Sequence, residues 1–224
     1  MKTFDTILYE TPAEHVARIV LNPPETRNAQ DTRLLYDLNE AFNVAAQDDQ
    51  VKVIILAAKG PHFSAGHDLR ERDTYQHMSE HKTVGTWCGF TCAGAEAQMA
   101  REKEIYIGFS ERWRNIPKPT IAAVQGRCVA GGLMLIWPCD IIIAGDDAEF
   151  CDPVVSFGIG GVEFFAHPWE LGPRRPRSSS SPRTGCPPRR RRASAWSIRS
   201  CRGTPSRRRR ARWRRRSRRS RSLR

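Results

Sequence analysis

The chain has 224 residues, with 37 Lys+Arg, 24 Asp+Glu and 39% hydrophobic residues, and its net charge of +13 averages two unlike parts. Residues 1–173 hold 15 of the basic residues and all 24 acids, for −9, whereas residues 174–224 hold 22 Arg with no Lys and no acid, for +22. That division excludes a basic nucleic-acid-binding domain spread over the whole chain. The acidic part is long enough to bury a substantial core. No span approaches the roughly 18 apolar residues of a transmembrane helix. Met1–Asp5 lacks the apolar run of a signal peptide, so a cytoplasmic location is expected. Cys88, Cys92, Cys128, Cys139 and Cys151, an odd set in such a chain, read as reduced and mostly buried thiols.

In chain order, Thr6–Glu10 and Val16–Leu21 have strand composition and are joined by a short Pro-containing turn, as in a hairpin. Asn22-Pro23-Pro24-Glu25 is a loop. Leu34, Leu35, Leu38, Ala41, Phe42 and Ala45 recur at three- and four-residue spacing. They predict an amphipathic helix to about Gln47, with Asp31 as its N-cap. Val51–Ala58 is an almost unbroken β-branched and apolar run, expected of a strand covered on both faces. A polar stretch from Arg70 to about Ala93 is weakly patterned, and such segments are often functional. Glu96–Arg114 reads as a helix, Thr120–Val124 as a second buried strand, Gly131–Pro138 as a short apolar helix, and Ile141–Ala144 as a third strand. Strands alternating with helices indicate an α/β layered fold with right-handed crossovers.

The tail, residues 174–224, shows no apolar period, and the repulsion among its arginines opposes compaction, so it is expected to be disordered. An arginine run of this kind can neutralise nucleic-acid phosphates. Its composition also fits GC-rich DNA read out of frame, which yields Arg, Pro, Ala, Gly and Ser but not Lys. The tail is therefore read as the product of a frameshift near Arg174, and nucleic acid is a partner only if the tail is genuine.

Two segments carry the chemistry. His62-Phe63-Ser64-Ala65-Gly66-His67-Asp68-Leu69 follows one buried strand, and Gln125-Gly126-Arg127-Cys128-Val129-Ala130-Gly131-Gly132 lies between another strand and a helix. Their glycines free main-chain N–H groups to face a ligand, and a helix starting near Gly131 would aim its positive end the same way. Two such donors converging on one oxygen make an oxyanion hole.

At these residues the sequence resembles the enoyl-CoA hydratase/isomerase (crotonase) family. The likeness runs from about Phe4 to Pro173. It includes Thr26-Arg27-Asn28-Ala29, the Ser64–Leu69 segment, Pro117–Val124, Cys139-Asp140-Ile141 and Ala148-Glu149-Phe150. The resemblance implies a ββα spiral core over residues 1–173 that binds an acyl-CoA thioester, with coenzyme A as part of the substrate and no separate cofactor. It implies that the thioester oxygen sits between the N–H groups of His67 and Gly131. It further implies that Arg27, Ala29, Ala65, Asp68 and Leu69 hold the nucleotide and pantetheine. A homotrimer or hexamer is implied as well, built in part by helices that follow this point in the family. Without those helices, apolar core surface would be exposed.

The two glutamates with which hydratases of the family deliver water are replaced here by Met134 and Val154, neither of which transfers protons. Glu163 lies in a loop where related isomerases and dehalogenases carry an acid, and its apolar flanks would raise its pKa toward that of a useful base. It is the candidate catalytic carboxylate. Asp152 reads as a turn residue before Pro153, and His167 as packing. A non-catalytic acyl-CoA-binding homologue is the alternative. His77, His81, Cys88 and Cys92 could be drawn as a metal site, but no Cys-x-x-Cys appears and no metal is expected. Trp87, Phe90, Met99 and Trp113 are expected to pack in the core or line an acyl pocket.

Overall fold

The structure, a computed structural model, describes residues 3–72, 74–87, 94–154, 158, 164, 166 and 199–201. The chain opens with strands β1 (Ile7–Ala13) and β2 (Val16–Leu21), then helix α1 (Thr32–Gln47), strand β3 (Val53–Ala58) and helix α2 (Thr74–Ser79). Helix α3 (Ala95–Arg101) runs through a π-helical turn, Glu102–Gly108, into α4 (Phe109–Arg114). Strands β4 (Thr120–Val124) and β5 (Arg127–Val129), helix α5 (Gly131–Ile136), and strands β6 (Ile141–Gly145) and β7 (Glu149–Cys151) follow. One stretch of the Arg-rich tail is described, a three-residue strand β8 (Arg199–Cys201).

The main sheet has the order β1-β2-β3-β4-β6-β8, antiparallel at β1/β2 and parallel elsewhere. Strands β5 and β7 form a separate parallel pair. The expected α/β layering is present, but β1 differs in detail. It runs through Pro12 to Ala13 with a register shift between Glu10 and Ala13, and His15 turns the hairpin at φ 63°. A proline at an irregularity on a sheet edge costs no ladder hydrogen bond, so Pro12 did not have to end the strand.

Helix α1 is held at both ends. Asp31 Oδ1 accepts from the Leu34 N–H at 2.8 Å, and the Glu71 carboxylate accepts from the Thr32 N–H at 3.1 Å. At the other end Lys118 Nζ donates to the carbonyls of Ala45 and Asp48, placing a cation where the helix dipole favours one. Leu34, Leu35, Leu38, Ala41, Phe42 and Ala45 form its buried stripe, as their spacing predicts. Asp140 fastens β6 to β4: its Oδ2 accepts from the Thr120 N–H at 2.8 Å and Oγ1 at 2.9 Å.

The π-helical turn buries Glu104, Ile105 and Tyr106 in succession, which a regular amphipathic face would not do. The Glu104 carboxylate accepts from the N–H groups of Val84 (2.7 Å), Gly85 (2.5 Å) and Thr86 (2.7 Å). It also accepts from Tyr36 Oη at 3.2 Å. Burial, with Glu104 beside it, pushes the Tyr36 phenol well above its usual range. Gly85 and Gly108 are both required here, because a Cβ on Gly108 would stand 2.6 Å from the Gly85 Cα.

The aromatic group expected to pack together is split. Trp113 is buried, whereas Trp87 is fully exposed and Met99 lies on the outer face of α3, whose buried residues are Ala97 and Ala100. Phe90 lies outside the described residues.

Asn28, buried at φ 52°, donates through Nδ2 to the carbonyls of Lys59 (2.9 Å), His62 (3.0 Å) and Phe63 (3.0 Å). Asn28→Ala strands these acceptors, so unfolding in urea is expected to show a loss of about 3 kcal/mol. A loss under about 1 kcal/mol would show that water replaces the amide.

Candidate functional site

The loops after β3 and β4 are stitched together by main-chain hydrogen bonds. The Phe63 N–H donates to the Arg127 carbonyl at 2.9 Å, and the Val129 N–H donates to the Ser64 carbonyl at 3.0 Å, making an isolated Ser64/Cys128 bridge. On the other side the Ala65 N–H donates to the Arg27 carbonyl (3.0 Å), Gln30 to Gly66 (2.8 Å) and Asp68 to Gln30 (2.9 Å). Because Gln30 bonds to the residues either side of His67, the main-chain N–H of His67 faces away from the Arg27–Gln30 segment.

Gly66 adopts φ 93° and packs tightly: a Cβ there would meet the Val129 carbonyl oxygen at 3.0 Å and the Gly131 nitrogen at 3.4 Å. The structure therefore brings together His67 and Gly131, the two residues expected to supply N–H groups. Ala130, the residue before α5, has φ 45° and ψ −113°, and its N–H donates to the Cys151 carbonyl at 2.9 Å. Positive φ at a residue with a Cβ costs roughly 1–3 kcal/mol and concentrates at functional sites. Here it turns the chain out of β5 so that α5 begins at Gly131. That helix has only six residues, too few to carry a long dipole.

Of the residues expected around coenzyme A, Arg27 and Ala65 are adjacent and exposed, Ala29 and Asp68 are half-buried, and Leu69 is 82% exposed. Such an exposed leucine on the loop after β3 is apolar surface available for contact. Asp68 is clamped by Arg70, whose Nε and Nη2 donate to its two oxygens at 2.9 and 2.7 Å. These bonds hold its carboxyl down at about 2. Neighbouring Asp31 shifts the other way, raised by burial and then by Glu71 and Asp68. Asp31, Arg33, Glu71 and His81 share with Asp68 an open, mixed-charge cleft of about 530 Å³, which suits no acyl chain.

Met134, 1% exposed, lies in α5 one turn beyond Gly131. Val154 is also buried, and its N–H donates to Asp152 Oδ1 at 3.3 Å, which makes Asp152 a turn residue. Glu163 and His167 lie outside the described residues, although their neighbours Phe164 and Ala166 pack at the core. Cys88 and Cys92 also fall outside them; among the described residues no group of three or more His, Cys, Asp or Glu could hold a metal ion. No helix among the described residues is long and apolar enough to cross a membrane. Gln30, Glu104 and the side chain of His67 were not legible as site residues. Gln30 carries no spacing signal, and Glu104 is one of four glutamates between Glu96 and Arg114, with nothing in its spacing to mark it as the buried one.

The sequence profile of the enoyl-CoA hydratase/isomerase family matches residues 11–170. The putative enoyl-CoA hydratase EchA13 of Mycobacterium tuberculosis is 44% identical over 181 residues, 78% of this chain and 56% of that protein. The human mitochondrial enoyl-CoA hydratase domain-containing protein 3 is 34% identical over 144 residues, 64% of this chain and 42% of that protein. The chain thus spans about half the length of the curated relatives it matches. Among solved structures, a probable enoyl-CoA hydratase from Mycobacterium smegmatis aligns at TM-score 0.66 and 48% identity, covering 78% of this chain and 63% of that one. An enoyl-CoA hydratase/isomerase from Xanthobacter autotrophicus Py2 aligns at TM-score 0.72 and 35% identity, covering 90% and 68%.

Two outcomes follow from this geometry. A Cβ on Gly131 would stand 2.7 Å from the His67 ring and 2.9 Å from Gln30 Oε1. Gly131→Ala is therefore expected to cost about 1–3 kcal/mol in denaturant unfolding, and an unchanged midpoint would place the ring elsewhere. Asp68, lowered in the folded chain, contributes stability that is fully present above the usual carboxylate range and lost as pH falls through about 2. Arg70 is exposed and its guanidinium is screened by solvent, so the contribution is small. It should register as a shallower acid dependence of the urea midpoint in Asp68→Asn.

Proposed function

Because the chain belongs to the enoyl-CoA hydratase/isomerase family, we propose that it binds an acyl-CoA thioester and acts on it through a thioester enolate. The single observation that carries this reading is the juxtaposition of the His67 and Gly131 segments by the Ser64/Cys128 bridge and the Gly66 contact. Two main-chain donors at a thioester oxygen acidify the α-carbon, because charge that develops on oxygen in the enolate is met by fixed dipoles. One such donor typically contributes about 3–4 kcal/mol to the transition state. Coenzyme A is part of the substrate in this reading. Arg27, Ala29, Ala65, Asp68 and Leu69 are the residues proposed to hold it, supported by the hydrogen bonds that join the Arg27–Gln30 segment to the loop after β3 and by the exposure of Leu69.

Proton transfer is the second requirement. Met134 and Val154 stand where hydratases of the family carry glutamates, and both are buried apolar side chains. Hydration needs groups that handle water and a proton together, so we propose a reaction that moves only a proton, as in isomerisation of an enoyl thioester. Glu163 is the carboxylate that the sequence offers for it. The same burial of Met134 and Val154 favours a second reading, binding of acyl-CoA without turnover.

The test uses the full chain with an acyl-CoA carrying 13C at the thioester carbonyl, in D2O. Binding with a downfield carbonyl shift and exchange of the α-protons is the expected result. Binding and a shifted carbonyl without exchange would move the second reading ahead. A folded chain that does not bind acyl-CoA would remove both.

A further inference from the structure

Glycine visits both signs of φ about equally, so Gly66, at φ 93°, does not by itself fix the peptide planes on either side of it. Each plane is held from outside. The Gly66 carbonyl accepts from the Gln30 N–H at 2.8 Å. A trans peptide points its N–H opposite to its carbonyl, so this bond aims the His67 N–H away from Gln30. The Gly66 N–H, on the preceding plane, donates to Ser64 Oγ at 3.2 Å.

Ser64 is fully buried, and its hydroxyl has no bonding capacity left over. It donates its hydrogen to the Asn28 carbonyl at 2.8 Å, and it accepts from Gly66 and, at 3.0 Å, from Gln30 Nε2. One hydrogen and two lone pairs are all that a serine hydroxyl has. The directions are forced, because a carbonyl can only accept and a main-chain N–H can only donate. Ser64 also borders the second expected donor. A Cβ on Gly132, which follows Gly131 in the first turn of α5, would stand 3.1 Å from Ser64 Cβ and 3.2 Å from its carbonyl oxygen. One buried residue thus bonds the loop that carries His67 and packs against the turn that carries Gly131.

We propose that Ser64 is a positioning residue of the oxyanion hole and that Gln30 orients its hydroxyl. This rests on the oxyanion reading above. Ser64 touches neither the substrate nor a reacting atom; it holds the Gly66 peptide so that the His67 N–H keeps its aim. Donors fixed in advance need not reorient as charge grows on the thioester oxygen, which is their advantage over water. Without the hydroxyl the Gly66 N–H is buried with no acceptor. Rotation about the glycine relieves that penalty and swings the His67 N–H with it. Aim matters more to the developing enolate than to the bound thioester, so the rate should fall while affinity is kept.

The experiment uses the full chain and trans-3-hexenoyl-CoA with a 13C carbonyl, followed by NMR in D2O at saturating ligand. Ser64→Ala should bind within about threefold of wild type and lose about half or more of the downfield carbonyl shift. Its exchange of the substrate α-protons should slow about 10–100-fold. Gln30→Met leaves the bonds from Ser64 to Asn28 and Gly66 in place and should fall between Ser64→Ala and wild type. It decides the matter alone if Ser64→Ala does not fold. A merely structural Ser64 gives the opposite split, with weaker binding but a wild-type shift and wild-type exchange at saturation, and that result would overturn the proposal. If the wild-type chain shifts the carbonyl and exchanges nothing, the shift is read by itself, and a wild-type shift in the variants overturns the proposal in the same way. A wild-type chain that binds acyl-CoA with an unshifted carbonyl overturns the oxyanion reading and this proposal with it.

Discussion

The site depends on the side-chain amide of Asn28, which gathers three carbonyls from the loop after β3. Those carbonyls face inward and have no strand partner, so without the amide the loop would have to open to water. Ser64 extends the same network, donating to the Asn28 carbonyl while accepting from Gly66 and Gln30. Every donor and acceptor direction in this chain of bonds is thereby specified. That is how a loop of irregular backbone can be as fixed as a strand.

Strain collects around the same point. Arg27, Asn28 and Ala130 all have positive φ, and each is bracketed by main-chain hydrogen bonds that leave it no relaxed alternative. The Arg27 N–H bonds to Pro24, the Asn28 N–H to Pro23 and the Ala130 N–H to Cys151. Backbone of this kind persists only where the surroundings over-determine it. The main sheet supplies that rigidity, since β3 and β4 are parallel neighbours whose C-terminal ends deliver the two loops side by side.

The polar stretch beyond the site is organised by a different device. One buried carboxylate, Glu104, satisfies three successive N–H groups of the Val84–Thr86 segment and anchors Tyr36 of α1. Its position depends on the π-helical turn, and the same turn carries Tyr106 to the His67 ring. A departure from regular helix geometry thus couples loop ordering on one side to the site on the other.

Much of the scaffold was legible in local pattern. The stripe of α1, its Asp31 cap, the apolar runs of β3, β4 and β6, and the two glycine-bearing loops could all be read from spacing and residue type, because periodic burial and turn chemistry are local requirements. Three features escaped for physical reasons. Strands β5 and β7 are three residues each, too short to show a period. Pro12 reads as a turn unless the edge position of β1 is known. Trp87 and Met99 look like core residues until the helix face of α3 is seen to bury alanines instead. By itself the sequence determined the layered α/β class and the residue types at the two loops. Only the tertiary structure decided that Gln30, His67 and Gly131 meet. Residues far apart along the chain are joined there by a bridge and by the close packing of two side chains on Gly131, and no periodicity along one strand or helix encodes such a contact.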